Sequence, residues 1–245
     1  MDKPKRIRID KFLVDQGYFS SRERAQRSIL AGHVLVEEQV IDKPGTLVRP
    51  NAAVRVVTEE KFVGRGGYKL EAALDHFCIS ATDLVCLDVG ASTGGFTDCL
   101  LQRGAKKVIA VDVGHHQLAW KIRSDVRVEV REGVNARILS PQLLGTRVQL
   151  AVVDVSFISL TLVLPPIFTC VEMGGMAIAL IKPQFELKAN QVGKGGIVRE
   201  EHLRMHSVSK IQLFVVEQLQ REWMGVIESP ITGAKGNREF LACLR

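Results

Sequence analysis

The chain has 245 residues, 46% hydrophobic and 24% charged, with a net charge of +6, a globular composition that excludes a disordered chain. No apolar run reaches the roughly 20 residues of a membrane-spanning helix. The nearest, residues 160–171 and 173–181, are broken by Pro165-Pro166 and Gly174-Gly175. The basic N-terminus runs into an amphipathic segment rather than an apolar core, so no signal peptide and no membrane partner are expected, and the protein is read as cytoplasmic. Cys78, Cys86, Cys99, Cys170 and Cys243 are scattered without C-x-x-C spacing. They are expected to be small core residues, with no disulfide framework and no metal site.

Residues 1–30 hold eight Lys/Arg against four acids, which places most of the excess charge there and favours a polyanionic partner. Ile9, Phe12 and Leu13 recur at helical spacing, and Gly17 is placed to end that helix. Ser20-x-x-Glu23 reads as a capping box for a second helix, with Ala25, Ile29 and Leu30 inward and Gly32 as its stop. Residues 33–36 and 54–57 read as short strands joined through a Pro44-Gly45 turn. Arg24 and Arg27 share a helix face. Arg22 sits in the first turn, where a helix end favours an acid unless a ligand phosphate is expected.

Residues 59–63 show no periodic pattern and lead into Gly64-Arg65-Gly66-Gly67. A linker is therefore expected over 59–67, between a small α+β domain (1–58) and a larger one (68–245). Leu70, Ala73, Leu74 and Phe77 open the larger domain with an amphipathic helix. Buried strands are predicted at 84–89, 107–111, 127–130, 149–153, 175–181, 224–228 and 239–244, mostly separated by helices, the longest at 200–221. This alternation predicts an α/β fold with a largely parallel, Rossmann-like sheet. The last two strands have no room for a crossover helix and are expected to form an antiparallel edge hairpin.

The first buried strand runs into a glycine-rich loop, Gly90-Ala91-Ser92-Thr93-Gly94-Gly95-Phe96, at the end of the sheet where α/β proteins bind cofactors. The spacing Gly90-x-x-x-Gly94-Gly95 is not the G-x-G-x-x-G of dinucleotide sites. Asp88 within the strand end suits the charged amino-acid portion of S-adenosylmethionine. Asp112 ends the next strand, either as an acceptor for two ribose hydroxyls or as a solvated strand-end acid. Asn135 is placed on the adenine side.

Asp154 and Lys182 each close an apolar strand. A lysine in that position is partly desolvated and suited to act as a base, although a snorkelling surface lysine would look the same. With Lys69 and Glu239 they resemble the Lys-Asp-Lys-Glu tetrad of the FtsJ-like ribose 2′-O-methyltransferases. That resemblance implies Lys182 as general base, Asp154 and Glu239 holding it, and Lys69 positioning the ribose or a neighbouring phosphate. The segment Asp154-Val155-Ser156-Phe157 lacks the Pro-Pro pattern of amino-N-methylation, and no cysteine lies in a loop that would serve carbon-5 methylation.

The N-terminal helices and strands resemble the αL RNA-binding module, Arg8-x-Asp10 and Ser21-Arg22 standing at its signature positions. That resemblance implies RNA contacts from Arg8, Lys11, Arg22, Arg24 and Arg27, to which Arg65 is added. Over its whole length, through Arg65-Gly66-Gly67-x-Lys69-Leu70, Val111-Asp112-Val113-Gly114 and blocks at 88–98, 154–160, 181–186, 193–199 and 229–240, the chain resembles the TlyA family. These proteins are often labelled haemolysins and belong among the cytidine 2′-O-methyltransferases of ribosomal RNA. The resemblance implies S-adenosylmethionine as cofactor, ribosomal RNA or a ribosomal subunit as partner, and methylation without a metal. His115-His116, Gly133-Val134, Ala234 and Gly64 depart from the family's usual residues. The competing readings are a membrane-active haemolysin, a non-catalytic RNA-binding protein and a small-molecule methyltransferase.

Overall fold

The computed structural model describes residues 6–57 and 60–245, and the chain divides into two compact units, 1–61 and 62–245. Lys3, Lys5 and residue 59, the start of the expected linker, lie outside the described residues.

The N-terminal unit runs β1 (Ile7–Arg8), α1 (Ile9–Asp15), α2 (Arg22–Leu30), β2 (Val34–Val36), β3 (Gln39–Ile41), β4 (Leu47–Val48) and β5 (Val54–Val56). Its core is Ile9, Phe12, Leu13, Ala25, Ile29, Val34 and Val48. Ser21, not Ser20, caps α2, its hydroxyl accepting from Arg24 N. Leu30, expected inward, is exposed because the helix ends there with Ile29 filling the core position. The expected 33–36 to 54–57 pairing is present as β2–β5, but β2 also pairs with β3, a strand absent from the sequence reading. Its hairpin turn is Glu37-Glu38, both in left-handed backbone (φ 50° and 61°), a geometry for which Asn-Gly is the usual signal. Two contacts hold this unlikely pair there. Glu37 accepts from Ala53 N at 3.1 Å, and Glu38 pairs with Arg55 at 2.7 Å.

The larger unit contains α3 (Gly66–His76), β6 (Val85–Val89), α4 (Gly95–Gln102), β7 (Lys107–Asp112), α5 (Trp120–Arg123), β8 (Val128–Glu132), α6 (Pro141–Leu144) and β9 (Val148–Val153). It continues through α7 (Leu160–Cys170), β10 (Val171–Ile181), α8 (Pro183–Glu186), α9 (Glu201–Leu213), β11 (Trp223–Glu228) and β12 (Phe240–Leu244). Among the described residues these form a seven-stranded sheet in the order β11-β12-β10-β9-β6-β7-β8. It is parallel from β10 through β8 and antiparallel at β12 and β11. Apolar clusters cover both faces, as burial of strands such as Leu87–Ile109–Ala151 on one side and Cys86–Val108–Leu150 on the other requires.

Pro165 and Pro166 do not stop α7. Its face of Leu160, Val163, Leu164, Ile167 and Phe168 is buried, and that burial outweighs the lost backbone bonds. The long helix expected over 200–221 is α9 followed by a wider turn at Phe214–Gln218. The expected linker is largely built into this unit. Phe62 is buried in its core, Gly66 and Gly67 already belong to α3, and a Cβ on Gly67 would lie 2.2 Å from the Phe62 ring. Four cysteines are buried as expected, whereas Cys78 is exposed on a left-handed residue just after α3.

Candidate active site

The glycine loop leaves β6 and turns back over β7, Gly90 N and Ala91 N both donating to Val111 O. Gly90 has φ +86°, and a Cβ there would lie 2.3 Å from Asp154 O, so the β6 and β9 ends close together only with glycine at this place. Gly94 caps α4 in left-handed backbone, while Ala91, Gly95 and Phe96 are buried beneath the loop. Gly64 and Gly66, read as linker, pack here instead. Gly64 O lies 2.9 Å from where a Gly95 Cβ would stand, and Gly66 sits over the Phe96 ring.

Beside the loop lies a cavity of about 450 Å³, lined among others by Gly90, Ser92, Asp112, Asn135, Asp154 and Phe157. A smaller pocket shares Gly90, Ser92 and Asp154 with it and adds Gly66, Gly95 and Phe96. Asp112 is held at the cavity wall by two backbone donors, Ser92 N at 2.8 Å and Gly114 N at 2.7 Å. Each carboxylate oxygen keeps a second acceptor site for a ligand. Asn135 lines the same wall, but its side-chain oxygen accepts from Arg137 N at 3.0 Å and caps a short turn. Asp88 is fully buried. Thr97 Oγ1 donates to its Oδ2 at 2.6 Å, and its Oδ1 has no partner. Burial pushes this carboxyl up to about 7; the Thr97 hydroxyl opposes the shift, and the Asp154 charge adds to it.

The four residues of the expected tetrad are gathered by strand register. Ile181 faces Phe240 across the β10–β12 pair, so the residues one step further, Lys182 and Glu239, leave the sheet side by side. Asp154 follows β9, whose Val153 faces Ala179 on the neighbouring strand. The side chains form two ion pairs. Lys182 Nζ lies 2.6 Å from Asp154 Oδ1, and Lys69 Nζ, brought in on α3, lies 2.5 Å from Glu239 Oε2. The expectation that Glu239 holds Lys182 is therefore corrected: Glu239 faces Lys69. Gly233 makes room for it, since a Cβ there would lie 1.9 Å from Glu239 Oε1.

Three further residues at this place escaped the sequence reading. Ser156 accepts from Lys182 Nζ at 2.9 Å. Phe157, 90% exposed with φ 62°, leans on Phe185 with ring centroids 5.0 Å apart, and Phe185 lies 5.9 Å from Lys182 Nζ. An aromatic residue in an Asp-x-x-Phe segment after a buried strand was the available signal; only the structure shows it to be uncovered.

The basic residues expected to meet RNA divide between the units. Asp10, fully buried, accepts from Arg8 Nε and Nη2 at 3.1 and 3.0 Å, from Arg22 Nη2 at 2.8 Å and from Gln26 Nε2 at 2.9 Å. The Arg8 guanidinium, followed by Arg22 and Gln26, holds the Asp10 carboxyl well below the usual carboxylate range. Both guanidinium groups are thus tied to Asp10, while each arginine side chain stays about half exposed. Lys11, Arg24 and Arg27 are exposed on α1 and α2. Arg65 belongs to the larger unit, where it donates to Thr232 O at 3.1 Å. Among the described residues no group of three or more His, Cys, Asp or Glu side chains could hold a metal ion.

A ligand-sized cavity at the carboxyl ends of a parallel sheet, with a glycine loop and two lysine–carboxylate pairs beside it, defines the chain as an enzyme of the Rossmann-like methyltransferase class. The FtsJ-like methyltransferase family model matches residues 62–245, and the chain belongs to that family; an S4 domain model matches residues 7–54. The chain is 45% identical over 243 residues to the 16S/23S rRNA (cytidine-2′-O)-methyltransferase TlyA of Mycobacterium tuberculosis, which spans 98% of this chain and 90% of the relative. It is 43% identical to hemolysin A of Brachyspira hyodysenteriae, over 96% of this chain and 98% of the relative. A solved structure described as a hemolysin from Streptococcus thermophilus is 42% identical with a TM-score of 0.73, covering 99% of this chain and 89% of that one.

Proposed function

We propose that this enzyme transfers a methyl group from S-adenosylmethionine to a ribose 2′-hydroxyl of ribosomal RNA, with cytidine as the target nucleoside. The observation that carries the reading is the pairing of Lys182 with Asp154, which lines the glycine-loop cavity. The cavity suits the cofactor. It is bounded by a glycine cradle, offers the Asp112 carboxylate to ribose hydroxyls, and has a buried Asp88 oxygen without a partner behind the loop. Gly90, Ser92, Gly95 and Phe96 would surround the amino-acid portion, and Val113, Val134 and Asn135 the adenine side. S-adenosylmethionine supplies an electrophilic methyl group when bound.

The protein's own task is to make a poor nucleophile react. A ribose hydroxyl needs to lose its proton as it attacks, and Lys182 is the base placed to take it. Asp154 orients the lysine and answers its charge. Lys69, balanced by Glu239, offers a cation to the ribose or an adjacent phosphate. Phe157, exposed and leaning on the half-buried Phe185, offers an aromatic ledge on which a nucleobase can stack while its sugar faces Lys182. The anchored Arg8–Arg22 pair and the exposed Lys11, Arg24 and Arg27 supply phosphate contacts that position RNA without reading its sequence. Ribosomal RNA as substrate implies a cytoplasmic setting.

The haemolysin reading is not favoured: among the described residues no helix is long and apolar enough to cross a membrane. Nucleoside mass spectrometry of ribosomal RNA from cells with and without the protein tests the reading, which predicts one or more 2′-O-methylcytidines lost with the gene. Lys182→Ala is expected to lower kcat by roughly a thousandfold while leaving cofactor binding measurable by calorimetry. Undiminished methylation by that variant would remove Lys182 from the mechanism.

A further inference from the structure

A base that gains a proton at every turnover has to pass it on, and Lys182 is poorly placed to do so directly. It is 9% exposed, and its Nζ faces the Asp154 carboxylate at 2.6 Å. Among the described residues its Nζ has one other polar partner, the Ser156 hydroxyl, to which it donates at 2.9 Å. Ser156 is exposed and lines the main cavity, and among the described residues its own hydroxyl hydrogen is donated to no protein group. A hydroxyl that accepts from a buried ammonium and has its own donor free toward solvent has the connectivity of a proton relay.

We propose that Ser156 is the outlet through which Lys182 sheds its proton, and the second acceptor that fixes the direction of its Nζ. The inference rests on the ribose-methylation reading. The proton of the ribose hydroxyl passes to the neutral Nζ. The resulting ammonium then gives one proton to Ser156 Oγ as the hydrogen already on that oxygen leaves to a water molecule. Lys182 returns to the amine, Ser156 is unchanged, and one hydronium is released per methyl transferred. The charged group on this path is the Asp154 carboxylate, 2.6 Å from Nζ. The Phe185 ring closes the remaining side at 5.9 Å.

The test uses the full chain, labelled S-adenosylmethionine and ribosomal subunits from cells lacking the protein, at constant pH with weak buffer and with increasing imidazole. Ser156→Ala is expected to lower kcat roughly ten- to hundredfold, to keep cofactor affinity by calorimetry within about twofold, and to regain rate as imidazole substitutes for the hydroxyl. Ser156→Thr, which keeps the hydroxyl, is expected to hold most of the rate. Wild-type kcat in Ser156→Ala overturns the relay, as does a slow Ser156→Ala that imidazole does not accelerate, which would mark the serine as structural. Wild-type methyl found on a base instead of a ribose overturns the reading of the reaction, and the relay with it.

Discussion

Asp88 is the residue whose environment departs furthest from its chemistry, a carboxyl enclosed at the end of β6 with one oxygen bonded by Thr97 and the other by nothing. Its pKa is raised from an ordinary 3.8 to about 7. The folded chain therefore binds this proton more tightly than the unfolded one does. The associated stability is complete below about pH 4, declines between about pH 4 and 7, and is gone above that range. Asp88→Asn removes the titration while keeping an acceptor for Thr97. Thermal unfolding of the two proteins from pH 4.5 to 8 should show the variant gaining on the wild type by a few kcal/mol across that window. Parallel curves would mean that Asp88 is not desolvated as the structure has it. The same variant is expected to bind S-adenosylmethionine more weakly at neutral pH, since it loses the carboxylate behind the loop. At this scale the sequence exposed residue types and strand-end positions, but not partners. Glu239 was assigned to Lys182 from the sequence and faces Lys69, because α3 carries Lys69 to the start of β12.

Elements of the larger unit are held together by buried polar ties, among them Glu186. At the end of α8 its carboxylate accepts from Ser159 Oγ at 2.5 Å and from Leu160 N at 2.8 Å at the start of α7, and pairs with Lys210 of α9 at 3.3 Å. It thereby fixes the segment after Asp154 relative to the one after Lys182. Glu186→Ala leaves those donors without their acceptor and is expected to destabilise the protein by about 2–4 kcal/mol. Urea unfolding measures the loss, and a midpoint equal to that of wild type would refute the role. Element type and order along the larger unit could be read from apolar periodicity, because strands buried on both faces are uniformly apolar. What periodicity missed has local causes. β3 was hidden by a Glu-Glu turn stabilised from outside the hairpin. The glycines at 64–67 look like a flexible hinge in sequence, yet they are small so that α3 can lie against the glycine loop.

For the molecule as a whole, residues 1–30 hold eight Lys/Arg against four acids, most of the net charge of +6, and within them the buried Asp10 holds the guanidinium groups of Arg8 and Arg22. If these arginines meet phosphates, Arg22→Ala should weaken binding to ribosomal RNA across all sequences and reduce the slope of log affinity against log salt by about 1. Filter binding of the full chain between low and moderate salt reads that slope, and an unaltered slope would exclude Arg22 from the phosphate contacts. The sequence alone determined the class of fold, and it singled out the glycine loop, the strand-end residues Asp154, Lys182 and Glu239 and the helix residue Lys69 as candidates, because each is written in local periodicity or in residue types that few other roles require. Only the tertiary structure decided how the lysines and carboxylates pair, that Ser156 and Phe157 stand at the mouth of the cavity, and that the apparent linker is part of the site. Those are matters of strand register and close packing, which join residues far apart in the chain and leave no periodic trace in it.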